Sequence, residues 1–147
     1  MSRPLRLFTR ADVDALIPQL DTLMGLAMER HGQATALHER LEDERPRIGG
    51  ARGSAGSSPG SAPVDARDWK ARAERLDGLT IEIRAALEEI QRLGGVVKDL
   101  GSGLVDFPGL VPDRGDLPVN LCWKHGEAAV RWWHGFDEGY AQRKPLP

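Results

Sequence analysis

From Val13 to Leu41 one set of positions recurs at alternating spacings of four and three: Val13, Ile17, Leu20, Met24, Ala27, His31, Ala34, His38 and Leu41. An average repeat of 3.5 residues keeps one stripe of an α-helix facing a partner and cannot be held as a strand. Leu16, Leu23 and Leu37 widen the stripe. "FTRADVDALIPQL" opens the helix: Thr9 is placed to accept the backbone N–H of Asp12, and Asp12 puts negative charge in the first turn, where the helix dipole favours it. Pro18 removes one helical hydrogen bond, so a kink or a later true start is expected there.

The same alternation returns at Trp69, Ala73, Leu76, Thr80, Ile83, Leu87 and Ile90, and Gly94–Gly95 stops it. Between the two seams lies "RPRIGGARGSAGSSPGSAP", with no periodicity and little but Gly, Ser, Ala and Pro. Such a stretch reads as a flexible connection whose reach, roughly 23 Å, suffices to reverse the chain. The expected architecture is therefore a long antiparallel helical hairpin. One register pairs Leu41 with Trp69, Ala34 with Leu76, Ala27 with Ile83 and Leu20 with Ile90. It sets His31 against Thr80 and His38 near Ala73. Seven apart on one face, His31 and His38 could share a metal with a carboxylate of the second helix, but a polar spacer in the seam or a place at its solvated edge is the more ordinary role.

After Gly95 the period changes. "GVVKDL", "GLVDFPGLV" and "LPVNLCWK" are short, β-branched or aromatic, and separated by turn formers such as "PDRGDLP". In the last, Val119, Leu121 and Trp123 point one way and Asn120, Cys122 and Lys124 the other. A small antiparallel sheet of two or three strands is expected, packed on a helix because it is too small to stand alone. "GEAAVRWWHGFDEGYAQR" then reads as an amphipathic helix. Ala129, Trp132, Trp133, Phe136 and Tyr140 share its core face, and Glu127, Arg131, His134 and Glu138 form a polar stripe on the other. Gly135 and Gly139 weaken that helix.

The sequence thus predicts one α+β domain over residues 1–147: helix 9–44, connection 45–63, helix 64–93, sheet 95–124 and C-terminal helix 127–140. A net charge of −2 gives no reason to expect nucleic acid or an anionic membrane. One cysteine excludes an internal disulfide and any multi-cysteine metal site. "MSRPLRLFTR" carries no signal-like apolar run, so a cytoplasmic location is expected. In the polar stripe, His134 and Glu138 stand one turn apart and could present a nitrogen and an oxygen to one divalent ion, with Asp106 arriving from the sheet. Zinc would want a further ligand, for which His125 and Cys122 are the candidates. No grouping marks a nucleophile.

"FTRADVDALIPQL", "GVVKDLGSGLVDFPG" and "LCWKHGEAAVRWWHGFDEGYAQRKPL" resemble an uncharacterised bacterial family, domain of unknown function 2203. The resemblance spans nearly the whole chain apart from the 45–63 connection. It supplies no activity. It implies that Asp106, Glu127, His134 and Arg143 belong to a recurring pattern, which makes them the candidate catalytic residues, with His134, Glu138 and Asp106 the metal candidates. Two functions remain in view. One is a hairpin that binds a protein partner or a second copy of itself. The other is a metal-dependent or acid–base enzyme built on Asp106, Glu127, His134 and Glu138.

Overall fold

The computed structural model describes residues 6–45 and 65–147. Helix α1 spans Arg10–Asp43 and helix α2 spans Ala66–Arg92. Five strands follow: β1 Val96–Asp99, β2 Leu104–Gly109, β3 Val119–Lys124, β4 Trp132–His134 and β5 Lys144–Pro145. They form one antiparallel sheet in the order β1-β2-β3-β4-β5, each strand beside its chain neighbour. The chain is α+β. Apart from Arg45, the 45–63 connection lies outside the described residues. Among the described residues no helix is long and apolar enough to cross a membrane.

The cap of α1 forms as its residues dictate. Thr9 Oγ1 accepts from Asp12 N at 3.1 Å, and Asp12 Oδ2 accepts from Thr9 N at 3.0 Å, so two otherwise orphaned donors are met reciprocally. Pro18 does not end the helix. Burial of Val13, Ile17, Leu20 and Met24 on both sides of it outweighs the ~3 kcal/mol that an interior proline costs. Three links tie α1 to α2: Trp69 Nε1 donates to Leu41 O at 3.0 Å, Arg72 pairs with Glu44, and Arg30 Nε lies 3.0 Å from Glu82 Oε2.

One face of the sheet packs on the helices. Val105, Phe107, Val119, Leu121, Trp123 and Trp133 meet Val13, Ile17, Leu20, Met24 and Ile90 in a single core cluster. The alternation expected for Val119–Lys124 holds, with Val119, Leu121 and Trp123 in the core. Residues ahead of α1 add to the edge. Phe8 N donates to Pro108 O at 2.8 Å, Leu110 N donates to Phe8 O at 3.1 Å, and the Phe8 ring meets Phe107 edge-on at 5.1 Å. Glycine at 109 is required here, since a Cβ would strike the Phe8 backbone oxygen.

The expected C-terminal helix over 127–140 does not form. Trp132–His134 is a strand, and beyond it only Tyr140–Gln142 makes a 3-10 turn. Gly126, at φ 99°, turns the chain after β3, and Trp132 and Trp133 then pair with Cys122 and Leu121. Ladder hydrogen bonds and burial of Trp133 override a helical pattern already weakened by glycines. Period two also replaces the expected grouping of the tryptophans: Trp133 enters the core, while Trp132 and His134 point to the sheet's other face. The sheet has five strands where two or three were expected: β4 comes from the segment read as helix, and β5 from the residues that follow it.

Candidate functional site

Strand register builds a polar cluster on the face turned away from the helices. Val96, Asp106, Cys122, Trp132 and Pro145 are directly opposed in sequence across the five strands. Opposed residues share a face, so Asp106 and Cys122 stand side by side. His134 opposes Asn120, two residues before Cys122, and so projects from the same face. Despite lying away from the helices the cluster is buried, with Asp106 2% and His134 3% exposed and Cys122 fully enclosed.

His134 Nε2 reaches the Asp106 carboxylate at 3.1 Å to Oδ1 and 3.0 Å to Oδ2. Its Nδ1 lies 2.9 Å from Gly135 O. Both ring nitrogens therefore face oxygen acceptors. A neutral imidazole donates through only one nitrogen, so which of the two oxygen partners receives the N–H follows the tautomer. The Cys122 thiol is pushed up to about 12, first by burial and then by the negative charge of Asp106; Arg143 opposes this and Glu127 adds to it. Cys122 is accordingly a protonated thiol at neutral pH and no free nucleophile.

Around this cluster lie the other residues singled out from the sequence. Glu127 closes the turn after β3: its Oε1 accepts from Lys124 N at 2.6 Å, and its backbone oxygen accepts the Trp123 indole N–H at 2.9 Å. Arg143 Nη2 donates to Glu127 Oε1 at 3.1 Å and Oε2 at 2.9 Å. The Arg143 guanidinium lies between two rings, 4.9 Å from the Trp132 centroid and 4.8 Å from that of Tyr140. This arrangement pins the chain end against the face that holds the cluster, and desolvation strengthens it.

The quartet Asp106, Glu127, His134 and Glu138 thus divides into pairs. Asp106 and His134 meet directly, 28 residues apart. Glu127 is taken by Arg143. Glu138 accepts from Lys144 Nζ at 2.6 Å and Gly135 N at 2.7 Å, and these bonds, Lys144 first, hold its carboxyl below the usual range. Of the metal candidates, Asp106 and His134 are joined by Cys122 and not by Glu138: among the described residues, Asp106, Cys122 and His134 are the one group whose ligand atoms all lie within 4.8 Å of one another. His125 sits apart, 3.8 Å from Asp21 of α1, and His31 and His38 are exposed. Cys122 was visible only as a supplementary ligand, because a helical reading of 127–140 hides the strand register that brings His134 alongside it.

A second candidate place lies on the helices. Pro18, Gln19, Thr22, Leu23 and Glu89 line a groove of about 460 Å³. Leu23, Leu26, Arg30, Glu82, Ala85 and Ala86 line another of about 340 Å³, and Leu23 joins the two.

Helices on one face of a meander sheet, with a buried acid–histidine–thiol cluster on the other, make this an α+β protein defined by its sheet register. The chain belongs to the family described as Uncharacterized conserved protein (DUF2203), whose model matches residues 6–146. No curated protein and no solved structure matches it.

Proposed function

We propose that α1 and α2 form an antiparallel hairpin that works as a self-association module, and that a second copy of the chain is its partner. One observation carries this reading: the sheet supports only one end of the helix pair. Among the described residues, no hydrophobic side chain beyond Met28 in α1 or before Leu87 in α2 belongs to or packs against the core cluster. Helix α1 is ~51 Å long at 1.5 Å per residue, so among the described residues nearly half of it lies beyond the core cluster and packs along α2. Leu41 and Leu79 are buried along that stretch, but Ile81 is 65% exposed. The open groove lined by Leu23, Leu26, Ala85 and Ala86, with Arg30 and Glu82, begins where the sheet's support ends. Two such pairs, set groove to groove, make a four-helix bundle that covers both grooves.

Sedimentation across the micromolar range tests it. The expected result is a dimer that Ala85→Glu and Leu26→Glu convert to monomer while the circular dichroism of the helices persists. A wild-type chain that stays monomeric throughout that range overturns self-association.

A further inference from the structure

We infer that Asp106, Cys122 and His134 form a site for a divalent transition metal, zinc by the chemistry of its donors, on the sheet face opposite the helices. The site is independent of the hairpin and of what the hairpin binds.

Three neighbouring strands supply one ligand each, a carboxylate oxygen, a thiol sulfur and an imidazole nitrogen. Hard cations such as magnesium and calcium take oxygen donors and have no use for sulfur, whereas zinc accepts all three donor types. A tetrahedral ion holding such donors at ~2.0–2.3 Å keeps them roughly 3.3–3.7 Å apart. The ligand atoms here lie within 4.8 Å of one another, with Asp106 and His134 at 3.0 Å. The imidazole is also oriented as metal-bound histidines are: Nδ1 is anchored on Gly135 O at 2.9 Å, which turns Nε2 toward the other two ligands.

Charge favours an ion of charge two: with a thiolate, a carboxylate and a neutral imidazole around it, the occupied site sums to zero, so no uncompensated charge is placed where desolvation is costly. Three protein ligands leave the fourth tetrahedral position to a further donor such as water.

The probe is Co²⁺ added to the metal-stripped, folded full chain, followed by its absorption spectrum, with Zn²⁺ as competitor. The expected outcome is saturation at one ion per chain, a thiolate-to-cobalt charge-transfer band, and displacement by Zn²⁺ but not by Mg²⁺. Cys122→Ser, checked for folding by circular dichroism, should lose the charge-transfer band, and His134→Gln should weaken cobalt binding at least tenfold. Wild-type protein that is folded and gives no charge-transfer band overturns the inference, whatever the variants do. A band that persists in Cys122→Ser overturns it as well.

Discussion

Replacing His134 by alanine tests how the cluster is held together. The side chain is 3% exposed, and its Nε2 is the close partner of a carboxylate that is itself 2% exposed. The substitution takes away that partner and leaves Asp106 enclosed, beside the Cys122 thiol. Breaking a buried pair by removing one member costs about 3–5 kcal/mol, because the remaining charge is uncompensated. For a chain of this size each kcal/mol moves the melting temperature by roughly 2–4 °C, so a fall on the order of 10 °C is expected. Urea denaturation of His134→Ala, Asp106→Ala and the double variant closes a cycle. If the pair is the source of the effect, the double variant should cost less than the two single losses added together, by at least ~1 kcal/mol. His38→Ala is the control, since an exposed histidine should change stability by less than about 0.5 kcal/mol. A His134→Ala loss below ~1 kcal/mol, or strict additivity in the cycle, would show that the two side chains are near each other without depending on each other.

Gly109→Ala should destabilise by ~1–3 kcal/mol in chemical denaturation, since its Cβ meets the backbone of Phe8 and the Leu121 side chain and backbone cannot rotate aside; a neutral result would mean that the Phe8 segment detaches readily. The Cys122 thiol should resist aromatic disulfide reagents at pH 8 until the protein is unfolded. Because its value rises on folding from 9.0 to about 12, the unfolded chain ionises first above pH 9, so stability should decline between those values, and Cys122→Ala should flatten that decline. Asp12 behaves with the opposite sign. The Thr9 backbone N–H and then its hydroxyl hold its carboxyl below the ordinary 3.8, so the contribution of the α1 cap is present above that pH and is lost as pH falls through the lower folded value. The stability gap between wild type and Asp12→Ala should therefore be constant near neutrality and shrink in acid; a gap that widens would refute the cap assignment.

Helix α1, its Thr9–Asp12 cap, helix α2 and the facing of Val119–Lys124 were legible in the sequence because each rests on local periodicity or on groups three residues apart. Of the pairings set out for the two seams, Leu41 with Trp69 is joined by a hydrogen bond from the indole N–H to the Leu41 carbonyl. The segment from Glu127 to Tyr140 was different. It carries a 3.6-residue pattern good enough for a helix, and within a short window helix and strand both separate its polar from its apolar side chains. The choice was made by β3, which offered a ladder to Trp132–His134 and a core position to Trp133. That choice also set the chemistry. As a helix, His134 would have faced Glu138; as a strand residue it crosses to Asp106 and Cys122. Which side chains a histidine meets 28 residues away depends on strand register, and register is an energy of the assembled sheet that no local window contains.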